Sequence, residues 1–192
     1  MRPLVALAVV AVGLLSVACG GREAVVATHP VAHDPSPTGI RLSGGGTLTR
    51  PAPKAQAVTY DTKLAPTGAS AEVVAESGAV LATSTVTVDG LLPNRTYGAH
   101  LHVNPCGVKP EDAGPHYQST ATHTHPSSTT EVWLDFTTDA EGAATAMAKQ
   151  DWAFAPGREP HSLVIHAQPT VRTGADAGDA GPRVACVTLT ES

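Results

Sequence analysis

The chain has 192 residues, 12 of them Lys or Arg against 17 Asp or Glu, with nine histidines and only 4% aromatic residues. A formal charge of −5, with no basic run, excludes nucleic acid and an anionic lipid surface as partners. The length suits one domain plus extensions, and a small anion would need a local cation to attract it.

The N-terminus reads as an export signal. Arg2 precedes an almost unbroken apolar run over 4–18, too short for a comfortable membrane span and suited to the apolar core of a leader. The run ends in Leu15-Ser16-Val17-Ala18-Cys19. Small residues followed by Cys resemble a bacterial lipoprotein cleavage site. Residues 1–18 would then be removed and Cys19 would carry lipid, anchoring the protein to the outer face of the cell membrane. Ordinary secretion is the alternative. Residues 19–55 show no apolar period and include Ser43-Gly44-Gly45-Gly46 and Pro51-Ala52-Pro53. They are expected to form a flexible tether, in which His29 and His33 are solvated linker residues. With Cys19 lipidated, Cys106 and Cys186 remain as one pair, oxidised in an exported protein.

From residue 56 short β-prone pieces replace the tether. Pieces at 57–60 and 71–74 are separated by Pro66 and Gly68. Over 83–88, Thr85 and Thr87 alternate with Val86 and Val88, the period of a half-buried strand. Asp89-Gly90 and Pro93-Asn94 are turn signals. Residues 96–103 alternate again, with Tyr97, Ala99, Leu101 and Val103 on one face and Gly98, His100 and His102 on the other. A long loop covers 104–129. A strand is expected over 131–138 and another over 143–148, with Trp152 and Phe154 covering one end of the core. Residues 162–166 and 184–189 are the last strands. About eight short strands without a helical pattern indicate an all-β sandwich or barrel.

His100 and His102 stand two apart on an expected strand. Their side chains therefore leave the same face, roughly 6–7 Å apart at Cα, and two imidazoles so placed can converge on one ion. Their setting sharpens this. GAHLHVNPC, AGPHY, LVIH and GDAGPRVAC follow one another along the chain. With these motifs the chain resembles the copper/zinc superoxide dismutase family, particularly its exported bacterial members, over 58–189.

The resemblance implies a Greek-key β-barrel over 56–192 and a copper site. His100, His102, His116 and His166 match the copper ligands, and His116 is the histidine that bridges copper and zinc in two-metal members. Cys106 and Cys186 match the family's disulfide. Arg183 matches the arginine that receives superoxide beside the copper. The implied reaction is dismutation of superoxide to dioxygen and hydrogen peroxide, with His116 taking up a proton on reduction and passing it to peroxide. The chemistry is compatible: imidazole serves copper in both oxidation states, and an arginine fork suits a small anion.

The zinc side departs from the family pattern. His123 and His125 in THTHP, then Glu131 and Asp135 in EVWLD, are the candidate zinc-side residues; His123 could serve as one ligand, but the set does not reproduce the family's spacing of zinc ligands. Only 16 residues separate His166 from Arg183, a shortened loop. Zinc is therefore expected to be absent, as in copper-only members. There a carboxylate can hold the distal nitrogen of the bridging histidine. Glu131 is the first candidate for that partner and Asp135 the second. His161 is expected to be a surface histidine. Two other readings stay open: a copper-binding or buffering protein of the same fold, and a structural β-sandwich lipoprotein with incidental histidines.

Overall fold

A computed structural model describes residues 39–120 and 125–192. In chain order its strands are β1 (Ile40–Thr47), β2 (Ala57–Thr59), β3 (Ser70–Ser77), β4 (Ala82–Asp89), β5 (Thr96–Tyr97), β6 (Ala99–His102), β7 (Phe136–Thr137), β8 (Ala144–Gln150), β9 (Ser162–His166), β10 (Arg183–Thr188) and β11 (Thr190–Glu191). One short 3-10 turn, Pro110–Ala113, is the helical element among the described residues. All pairings between these strands are antiparallel. One sheet has the order β11-β1-β3-β4-β8, the second β2-β10-β9-β6, and β5 with β7 makes a small ribbon. The neighbours β4 and β8, and β6 and β9, are far apart in sequence, the crossovers of a Greek key. The expected all-β class is what the chain forms.

The main core lies between the two sheets. Val73 and Ala75 of β3, Val86 and Val88 of β4, Leu101 of β6, Leu163 and Ile165 of β9, and Val187 of β10 are buried in it. Tyr117, Trp152 and Phe154 close one end, with the Tyr117 and Phe154 rings 5.6 Å apart edge to face.

Three expectations need correction. The tether does not reach residue 55, because Ile40–Thr47 is a full strand paired along its length with β3. Two of its three glycines answer to packing. A Cβ on Gly44 would collide with the Thr188 carbonyl, and one on Gly45 would lie 3.0 Å from the Glu72 side chain. Leu48 follows directly and is fully buried. The strand expected over 96–103 breaks at Gly98, whose N–H donates to the Gln168 carbonyl (2.8 Å) where the loop 167–182 presses in. The strand expected over 131–138 shrinks to Phe136–Thr137. Glu131 and Trp133 instead make single bridges to Gln118 and His100. The remaining expected strands are present, most with their ends shifted.

The stretch expected to be an export signal, the expected lipidation site Cys19, and His29, His33 and His123 lie outside the described residues.

Candidate metal centre

β6 is buried at all four positions. Ala99 and Leu101 face the main core. His100 and His102 face the other way, beneath the loops, and neither is exposed. His166 ends β9, directly opposite Arg183 at the start of β10. His116 enters from the loop after the 3-10 turn and bridges to His102. The structure thus brings together all four histidines singled out in the sequence. Each offers one nitrogen, and these atoms lie within 4.8 Å of one another.

The outward nitrogens are held in place. His102 Nδ1–H donates to the Gly114 carbonyl (2.9 Å) and His166 Nδ1–H to the Gly181 carbonyl (3.1 Å). His116 Nδ1–H donates to Glu131 Oε2 (2.8 Å). His100 is turned round, with Nε2 2.7 Å from Thr170 Oγ1. Fixing one ring nitrogen as the donor makes the other the acceptor. The inward set is therefore Nδ1 of His100 and Nε2 of His102, His116 and His166.

This set fits a metal ion. His102 Nε2 and His166 Nε2 are buried and lack any hydrogen-bond partner. Such atoms are costly unless something answers them. The other two inward nitrogens, His100 Nδ1 and His116 Nε2, are 3.0 Å apart. Burial pushes His100 and His102 well below the usual imidazole range, and the neighbouring histidines add to it. Burial also takes His166 down to about 4, with the Gly181 carbonyl opposing. His100, His102 and His166 are therefore neutral at pH 7, the form that binds metals.

Glu131 is 1% exposed. Its Oε2 accepts from both His116 Nδ1–H and Trp133 Nε1–H (2.8 Å each), and its Oε1 accepts from Gln118 Nε2 (2.9 Å). Burial raises the carboxyl, but the His116, Gln118 and Trp133 donors outweigh it and hold the group below its ordinary value. Glu131 is thus the residue on the distal nitrogen of His116. Asp135, the second candidate, is elsewhere. It reaches the His100 side, accepting from Thr170 Oγ1 at 2.7 Å. His125 is exposed and apart from the cluster, and His161 is exposed as expected.

Arg183 is half-buried, and burial lowers its basicity. Its two terminal nitrogens donate to the carbonyls of Pro110 (2.9 Å) and Gly114 (2.7 Å). The Gly114 carbonyl is also the acceptor for His102, so a single oxygen ties the cation to a metal-side imidazole. Cys106 and Cys186 form the disulfide that holds this loop to β10. Thr170, Trp133 and Gln118 were not evident from the motifs. Gln118 carried a readable signal, since it stands two residues after His116 in an extended segment. Thr170 sits in an unpatterned loop and carried none.

Fold and donor set together define a metalloprotein of the all-β class, with its metal centre on the outward face of a sheet. The model of one family, copper/zinc superoxide dismutase (SODC), matches residues 68–189, and the chain belongs to that family. A search of curated proteins finds no match. Among solved structures, that of the clock protein EA4 is similar in fold, with a TM-score of 0.54 at 15% identity, over 78% of this chain and 92% of that one.

Proposed function

We propose that the chain is a copper-dependent superoxide dismutase of the copper-only kind, held at the outer face of a bacterial cell membrane by lipid on Cys19. The observation that carries the enzymatic part is the coupling of Arg183 to the four-imidazole centre through the Gly114 carbonyl. Copper held by His100, His102, His116 and His166 would supply one-electron redox chemistry, taking an electron from one superoxide and returning it to the next. Arg183 draws the anion in and orients it, its planar fork held by two backbone carbonyls. The overall charge is negative, so this local cation matters for recruitment. His116 Nε2 would take up one proton in one half of the cycle and give it to peroxide in the other, the second proton coming from solvent. Glu131 keeps the opposite nitrogen of that ring protonated throughout.

Glu131 supports the copper-only part. The His116 nitrogen that would face a second metal is already bonded to a carboxylate, which also accepts from Gln118 and Trp133. The export and lipid part is supported by the apolar run before Cys19.

The test is a dismutase assay on copper-loaded chain, together with copper and zinc stoichiometry. One copper, no retained zinc and activity are expected. Arg183→Ala should lower kcat/KM about 10-fold or more by removing local steering, with copper still bound. Copper binding without any activity would instead favour a copper-buffering role. Firmly held equimolar zinc would overturn the copper-only part. Labelling with radioactive palmitate, lost in Cys19→Ala, checks the anchor.

A further inference from the structure

We infer that Thr170, backed by Asp135, is a positioning residue that decides which nitrogen of His100 faces the metal. The inference rests on the copper reading above and adds a residue to it. Three of the histidines turn Nε2 inward and donate Nδ1–H outward. His100 does the reverse, and Thr170 is the cause. Thr170 Oγ1 lies 2.7 Å from Asp135 Oδ1 and 2.7 Å from His100 Nε2. A carboxylate accepts only, so the single hydroxyl proton goes to Asp135 and the oxygen must accept from His100 Nε2–H. The tautomer is thereby set, and the Nδ1 lone pair is left for the centre.

The hydroxyl cannot easily leave this position. Thr170 N–H donates to Asp135 Oδ2 (3.2 Å), so one carboxylate grips both the backbone and the side chain of the residue. Asp135 is itself held by Arg172 Nη2 (3.2 Å) and by the Ala99 N–H (3.4 Å). The loop is also pressed against the break between β5 and β6. A Cβ on Gly98 would lie 3.0 Å from Thr170 Oγ1 and 2.8 Å from the Gln168 carbonyl. Glycine two residues before His100 is what allows the loop this close. The chain from Asp135 through Thr170 to His100 therefore fastens the loop 167–182 to the centre with its own side chains. It also makes His100 a more basic ligand, as hydrogen-bonded imidazoles are.

The test compares Thr170→Val, which removes the hydroxyl at nearly constant volume, with Thr170→Ser, which keeps it. The full chain is loaded with Cu(II), its affinity is measured by chelator competition, and its electron paramagnetic resonance spectrum is recorded. Thr170→Val should bind Cu(II) about 10-fold or more weakly, the range for lost outer partners of metal-bound histidines, with a changed parallel hyperfine splitting. Thr170→Ser should match the wild type in both. Identical affinity and spectrum in Thr170→Val would overturn the inference, as would Thr170→Ser falling equally far. If circular dichroism shows Thr170→Val unfolded, Thr170→Ala takes its place in the same comparison. A wild type that binds no Cu(II) overturns the copper reading and this inference together; a wild type that binds it, with Thr170→Val indistinguishable, overturns this inference alone.

Discussion

The two sheets are built on different principles. Along β3 and β4 burial alternates, with Val73 and Val86 inside and Glu72 and Thr87 outside. In the second sheet β6 and β9 are buried at every position, and so is β10 after Arg183. Its outward face has a small core of its own: Val58, Val164, Cys186 and Ala113, with Cys106 packed against them. The same face carries His100, His102 and His166. One sheet is thus a scaffold held by apolar packing. The other is held on its outer side by a disulfide, a set of imidazoles and a buried carboxylate. Perturbations should separate the two, because they act on different forces.

The largest separation is expected from the disulfide. Cys106 and Cys186 close a loop 80 residues apart in sequence, for which the chain-entropy relation gives about 4.5 kcal/mol. Cys106→Ser with Cys186→Ser should lower the unfolding free energy by up to that amount in urea titrations. Copper should also be released at lower urea than from the wild type, because Cys106 holds the loop that leads to His116. Copper release at an unchanged urea concentration would break the distinction between the sheets.

Acid comes next, and it acts on the imidazoles of the second sheet. In the metal-free chain His166 is neutral down to about 4, whereas an unfolded histidine titrates near its ordinary 6.5. Between these values the unfolded state binds the extra proton, so stability is complete above 6.5 and falls as pH drops toward about 4. The loss approaches about 3 kcal/mol for this one group. His100 and His102, also depressed, act with the same sign. Glu131 adds to the loss at lower pH, since its carboxyl is held below its ordinary value. Thermal midpoints of the metal-free chain should fall steeply across this window. A flat profile would mean that the imidazoles reach water.

Glu131→Ala is expected to have a smaller effect on stability, about 2 kcal/mol, by leaving the His116 and Trp133 N–H groups without their acceptor. Its effect on copper affinity should be a loss of about 10- to 100-fold. Urea titration and chelator competition measure the two separately, and no loss in either would remove Glu131 from the site.

The same division governs what could be read from the sequence. β4 faces water on one side, so its alternation of Thr85 and Thr87 with Val86 and Val88 is visible and places it; β3 shows as a short β-prone piece and β8 as small residues between turn signals. β6 was visible because His100 and His102 share its outer face. The region over 131–138 alternates like a strand, yet Glu131 and Trp133 are extended to serve the site and make only isolated bridges. β1 was read as tether because Gly44 and Gly45 carry no hydrophobic signal; their role is to let backbones approach. Glu131 could be proposed as a carboxylate near the bridging histidine. Thr170 could not, since its contact with His100 depends on how a loop folds back over Gly98, which no local periodicity encodes.

The smallest expected effect tests the open side of the scaffold sheet. Met147 lies on β8 opposite Thr85 and is 61% exposed. β8 ends its sheet in the pairing order, where charge is tolerated and lysine discourages edge-to-edge pairing. Met147→Lys should therefore change the unfolding free energy by no more than about 0.5 kcal/mol, and leave copper affinity unchanged. The side chain is mostly exposed, so little apolar burial is lost, and the ammonium remains in water. A loss well above this, measured in the same urea titrations, would mean that this face too is covered, and the contrast between a sheet open to solvent and a sheet buried on both faces would fail at its simplest point.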